Sequence, residues 1–195
     1  MKLLIATHNQ GKIKEFSELL KPYNTECVNL SDLNIHENVE ETGNTFAQNA
    51  LIKAKTYCNL ANMPTLADDG GIMIDALNGE PGVKSRRWKG YEMSDEEMVD
   101  YTLERLNGIP TEKRTAHLVV NLALIFPDGR EYSSEAAIDG VIADKQLIPI
   151  IKGYPFRSIF IVSGINKVYG ELTEEEHRQY AQRVKALKNL LTHLQ

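Results

Sequence analysis

Between His117 and Phe126 the chain reads HLVVNLALIF, the strongest strand signal it contains. Pro127-Asp128-Gly129 then supplies a turn, and Arg130 to Ile138 returns as a second strand, so the passage is expected to be a hairpin. The lone His117 at the start of that strand is expected to be structural rather than a ligand.

The remainder of the chain alternates between strand and helix patterns. Leu3 to Ala6 reads as a buried strand, and Thr25 to Leu30 as another. After the polar turn Thr7–Lys12, Ile13, Phe16, Leu19 and Leu20 share one helical face, and Pro22 ends that helix. A second helix begins at Thr45, with Phe46, Ala50, Ala54, Tyr57, Cys58 and Ala61 at helical spacing and Thr42 or Asn44 as its N-cap. Ser94-Asp95-Glu96-Glu97 is a capping box opening a third. Arg157 to Val162 reads as a strand. Thr173 caps a long C-terminal helix carrying Tyr180, Val184, Leu187, Leu191 and Leu194 on one face. With 195 residues and no linker or repeat, the expectation is one mixed α/β domain over residues 1–195, its hairpin contributing to a second lobe.

A net charge of −5 argues against binding to a nucleic-acid polymer, which needs a basic stripe, but leaves room for a small anion held by a few local cations. Cys27 and Cys58 lack metal-type spacing and are expected to be reduced thiols. No apolar segment reaches the length of a signal peptide or a membrane span, so a cytoplasmic protein without membrane partners is expected.

Candidate chemistry concentrates in Leu66–Trp88. The pair Asp68-Asp69 is followed by Gly70, Gly71 and the apolar run Ile72-Met73-Ile74, and a loop beyond carries Lys84, Arg86 and Arg87. Carboxylates at a strand end can collect a metal ion or a proton, and nearby cations can collect phosphate; a surface turn with solvated charges is the alternative. At Thr7-His8-Asn9-Gln10-Gly11-Lys12, a strand, a polar turn and a helix could aim N–H groups at phosphate, or form an ordinary turn with a solvated lysine. Lys53 could face an anion or water.

Taken together, four ordered segments resemble the inosine triphosphate pyrophosphatase family over essentially the whole length. Thr7 to Lys12 with Glu15 is similar to its T-x-N-x-x-K-x-x-E loop, and Glu40 to Lys53 to its E-E-T-G-x-T-F-x-x-N-A-x-x-K motif. Ala67 to Gly71 and Ala76 to Trp88 are similar to A-D-D-S-G-L and A-L-x-G-x-P-G-x-x-S-A-R-Y. Lys167, Glu171-Leu172-Thr173 and Arg183 fit its C-terminal block. The resemblance implies an elongated α/β fold, a mixed twisted sheet flanked by helices with two lobes and a central cleft, and a homodimer. It also implies magnesium-dependent hydrolysis of non-canonical purine nucleoside triphosphates (ITP, dITP, XTP) to the monophosphate and pyrophosphate. Glu40 and Asp69 would hold the metal, and Asp69 would activate water. Thr7, Asn9, Lys12, Lys53, Gly70, Tyr154, Lys167, Gln182 and Arg183 would bind substrate. The alternative is a nucleotide-binding paralogue with altered base specificity or lost catalysis.

Departures concentrate where the base would be read. Lys152-Gly153-Tyr154-Pro155-Phe156-Arg157 stands in place of the family's F-G-Y-D-P, putting Lys152 where an aromatic would stack and removing the aspartate. Gln182 replaces the histidine of S-H-R, and Gly70 replaces a serine. Aromatic stacking is worth ~1–3 kcal/mol per base, so altered selectivity is expected unless Tyr154 or Phe156 compensates.

Overall fold

The computed structural model of the chain describes residues 1–194. Seven strands form one mixed sheet in the order β2-β1-β3-β4-β5-β6-β7. β1 (Lys2–Ile5) pairs in parallel with β2 (Glu26–Asn29) and with β3 (Thr65–Ile74). The hairpin is β4 (Thr115–Ile125) and β5 (Glu131–Ile142), and β5 continues antiparallel to β6 (Phe160–Val162) and β6 to β7 (Lys167–Val168). The helices are α1 (Gln10–Leu20), α2 (Phe46–Ala61), α3 (Asp95–Arg105), α4 (Glu174–Tyr180) and α5 (Gln182–Leu190).

The chain divides into two compact units and passes from one to the other four times. The first comprises residues 1–69, 120–136 and 183–195; the second comprises 70–119 and 137–182. Both arms of the hairpin are therefore shared, its tip in the first unit and its base in the second.

In the first unit, strand alternation builds two cores. Leu3, Ile5 and Leu66 pack with Phe16 and Leu20 of α1 and Ala186, Leu187 and Leu190 of α5. Leu4, Ala6 and Ala67 pack with Ala50, Ala54, Tyr57 and Cys58 of α2. One face of the sheet thus belongs to α1 and α5, the other to α2. In the second unit the buried side chains include Met98 and Val99 of α3, Ile159, Phe160 and Tyr169. Gly140 is required there because a Cβ would strike the Phe160 ring and the Ile161 carbonyl across the β5–β6 pairing.

Several boundaries differ from the sequence expectation, each for a local reason. The N-cap of α2 is Thr45 itself, whose side chain accepts from the Gln48 N–H, while Asn44 donates its own N–H to the Gln48 side chain. β3 does not stop at the aspartates but runs through Asp68, Asp69 and both glycines. The strand expected at Arg157 begins only at Phe160, because Pro155–Ser158 forms a 3-10 turn closed by Ser158 Oγ donating to the Pro155 carbonyl at 2.7 Å. The single long C-terminal helix is two helices, since buried Ala181 is extended at ψ 131°.

Candidate active site

The alternation that builds the two cores also decides what the acidic pair can do. Leu66 faces α1 and α5 and Ala67 faces α2, so Asp68 must face α1 and α5 and Asp69 must face α2. Adjacent in sequence, the two carboxylates belong to different environments.

Asp68 is 1% exposed and ends among cations. Lys12 Nζ lies 3.0 Å from its Oδ2, and Arg183 Nη2 donates to the same oxygen at 3.0 Å with Nε at 3.3 Å. Arg183 also donates through Nη1 to Glu15 Oε2 at 2.9 Å. Burial by itself would raise the Asp68 pKa, but Lys12, Arg183 and Lys53 outweigh it and hold the carboxyl well below the usual range. The Lys12 pKa is lowered as well, because its own burial lowers it and the charge of Asp68 only partly restores it. Asp68 Oδ1 is buried without a hydrogen-bond partner among the described residues. A carboxylate this strongly ionised is a poor proton acceptor and a good fixed counter-charge.

Asp69 is the opposite case. Lys53 Nζ lies 3.6 Å from its Oδ1 and 2.7 Å from Glu41 Oε1. Burial, aided by the charge of Glu41, raises the Asp69 pKa against the opposing pull of Lys53. Lys53 feels burial as a lowering influence, yet Asp69, Asp68 and Glu41 together raise it, so its ammonium stays charged. An ionisable carboxylate pushed upward and flanked by a fixed cation suits a general base. Asp69, not Asp68, is the reactive candidate.

The remaining expected residues fall into place unevenly. Asn9 caps α1, its Oδ1 accepting from the N–H groups of Gly11 and Lys12 at 2.9 and 3.3 Å, and its own N–H donates to Thr7 Oγ1. The first turn of α1 is therefore partly satisfied by the chain itself. Glu40 is exposed, and it is Glu41 that reaches Lys53, the ammonium that also lies beside Asp69. Gly70, Tyr154, Lys167 and Gln182 belong to the second unit. There Lys167 Nζ pairs with Glu176 Oε2 at 2.7 Å, and Gln182 Oε1 accepts from the Tyr169 hydroxyl at 2.9 Å. Lys152 is exposed. Of the aromatics offered as a replacement, Phe156 is buried, and Tyr154 is half-buried with the Arg157 guanidinium 3.9 Å over the centre of its ring.

Glu41 and the structural depth of Asp68 were not singled out from the sequence as site features. Nothing local marks Glu41 over Glu40.

Comparison with known proteins covers nearly the whole chain. The family model of the Ham1 family matches residues 3–193. The dITP/XTP pyrophosphatase of Bacillus subtilis (strain 168) is 38% identical over 187 residues, 96% of this chain and 93% of that protein. The Staphylococcus aureus Ham1 protein structure superposes with a TM-score of 0.84 at 31% identity, covering 100% of this chain and 98% of that one. The nucleoside-triphosphatase / dITP/XTP pyrophosphatase of Mycobacterium abscessus gives 0.76 at 38% identity, covering 98% and 99%.

Proposed function

Because this chain belongs to the Ham1 family, we propose that it hydrolyses non-canonical purine nucleoside triphosphates, dITP and XTP among them, to the monophosphate and pyrophosphate. The observation that carries the reading furthest is Asp69, a carboxylate 13% exposed, 3.6 Å from the Lys53 ammonium and raised in pKa by its partial burial. In this reaction Asp69 takes a proton from water as that water attacks, and the α–β phosphoanhydride bond breaks with pyrophosphate leaving. Lys53 and Lys12 supply positive charge against the phosphates, and Asp68 with Arg183 keeps Lys12 in place.

We also propose magnesium as the cofactor. Asp69 and the Glu40–Glu41 pair would supply its protein oxygens, and the ion would neutralise the triphosphate. The donor chemistry fits: hard carboxylate oxygens of Glu41 and Asp69 converge on the one Lys53 ammonium. Among the described residues no group of three or more His, Cys, Asp and Glu could hold a metal. That suits an ion which takes one or two carboxylates and completes its shell with phosphate and water. The same resemblance supports a cytoplasmic homodimer acting as one nucleotide-processing domain over residues 1–195. The net charge of −5 supports a free nucleotide rather than a nucleic-acid polymer as partner. Among the described residues no helix is long and apolar enough to cross a membrane.

A substrate panel tests the proposal: dITP, ITP and XTP against the common triphosphates, with magnesium and with EDTA. Turnover of the first group that disappears with EDTA is expected. Nucleotide binding without turnover in magnesium would instead favour the binding-only paralogue.

A further inference from the structure

The segment 151–158 opens with a turn closed by the Tyr154 N–H donating to the Ile151 carbonyl at 2.8 Å. Gly153, the third residue of that turn, has φ 80°, a left-handed value that glycine adopts without strain. Its own N–H is not the one that closes the turn and needs an acceptor from elsewhere. Asp95 supplies it: Oδ2 accepts from the Gly153 N–H at 2.7 Å. The other oxygen, Oδ1, accepts from Arg86 Nη1 at 2.8 Å, and the same Nη1 donates to the Met93 carbonyl at 3.2 Å. An acid in the first turn of a helix ordinarily serves that helix. Here Ser94 and Glu97 already cap α3, and both Asp95 oxygens are turned to other elements. Arg86, Met93, Asp95 and Gly153 all lie in the second unit.

This clasp joins two departures from the motifs the chain resembles. Arg86 stands where S-A-R-Y has alanine, and Gly153 lies in the line that replaces F-G-Y-D-P. Around Gly153 the segment carries the exposed Lys152 and the Tyr154 ring, with the Arg157 guanidinium 3.9 Å over the centre of that ring and 4.8 Å over that of Tyr169. Aromatic rings and guanidinium planes are the surfaces on which bases stack. We propose that Asp95, held by Arg86, is the positioning residue for this segment, and that discrimination between triphosphates depends on the clasp. The selectivity role rests on the pyrophosphatase reading; the clasp itself rests on the hydrogen bonds alone.

Steady-state kinetics with XTP and ATP, together with amide exchange at Gly153, test it. In Asp95→Ala the ratio of kcat/KM for XTP to that for ATP should fall about tenfold, the scale of one misplaced recognition contact. The fall should sit in KM for XTP, with kcat within about threefold, because Asp69 and Lys53 are unaltered. A ratio changed by less than about fivefold, or a loss confined to kcat, overturns the proposal. Arg86→Ala leaves the capping of α3 intact and decides the matter if Asp95→Ala does not fold. There the ratio should fall about fivefold, and a change under about twofold overturns the proposal. Independently of turnover, NMR should show the Gly153 amide exchanging slowly in the parent protein and at least about tenfold faster in either variant. Unaltered exchange contradicts the clasp. A parent protein that hydrolyses neither triphosphate overturns the pyrophosphatase reading and the selectivity role with it, while faster Gly153 exchange in the variants leaves the clasp standing.

Discussion

Replacing Asp68 by asparagine removes the negative charge that Lys12 and Arg183 share inside the first unit. The substitution is nearly isosteric, so no cavity forms and the loss is electrostatic. Asp68 is 1% exposed and its partners are largely buried, so solvent cannot replace the missing charge. Taking one partner from a buried, hydrogen-bonded charge pair costs about 3–5 kcal/mol. The asparagine oxygen still accepts one bond, which places the expected loss near the lower end, about 3 kcal/mol. In a chain of this size that corresponds to a fall in Tm on the order of 10 °C. The pH dependence follows from the depressed pKa of Asp68. Its contribution is fully present above the unfolded value, about 3.9, and is lost as pH falls toward its lower folded value. Urea denaturation of both proteins should therefore show a constant gap from pH 8 to pH 5 that narrows below about pH 4. A gap under about 1 kcal/mol at pH 7, or one that widens on acidification, refutes the charge network as described. Adding Arg183→Met to Asp68→Asn should cost less than the two single losses combined, because the partners are coupled.

Other consequences are equally direct. Lys53→Met removes the cation between Glu41 and Asp69; steady-state kinetics should show KM for the triphosphate raised at least about tenfold, one charge-assisted contact being worth about 1.5–3 kcal/mol. The acid limb of its rate profile should move to higher pH, since Lys53 is the largest influence lowering the Asp69 pKa. His117 is bonded to Asp139 Oδ1 at 2.7 Å, with Asp75 on its other nitrogen, and both raise its pKa against partial burial. Its stabilising contribution is present below about pH 6.5 and lost as pH rises through its raised folded value, so Asp139→Asn should destabilise at pH 5.5 more than at pH 8.5. An NMR titration of His117 reads the shift directly. Gly140→Ala should cost about 1–3 kcal/mol in denaturation, the overpacking range, because the Phe160 ring and Ile161 carbonyl leave no room for a Cβ.

Local signals were readable where capping and periodicity agreed. Ser94 and Thr173 cap as expected with Glu97 and Glu176 at N3, and the apolar stripe of α2 is the one that packs on β1 and β3. The acidic pair was visible, and the family resemblance implied the metal and water-activating role for Asp69; the motif alone does not convey what strand alternation adds, that Asp68 and Asp69 have opposite faces and opposite pKa shifts. The partnership of Arg183 with Asp68 spans 115 residues and no short motif encodes it. The break at Ala181 carries neither glycine nor proline, so helical periodicity runs through it. Yet that break lets Gln182 meet Tyr169 while Arg183 meets Asp68. That Glu41 is the glutamate meeting Lys53 depends on how the segment before α2 lies against Asn49 and Lys53, which is a tertiary fact.

In the proposed reaction Asp69 activates water for cleavage between the α and β phosphates. The measurement that reaches it most directly is product analysis with XTP and magnesium, quantifying pyrophosphate and orthophosphate in the parent protein and in Asp69→Asn. One pyrophosphate per monophosphate from the parent, with turnover at least about 100-fold lower in a folded Asp69→Asn, is the predicted result. Orthophosphate as the primary product, or an Asp69→Asn variant that keeps its rate, would contradict it.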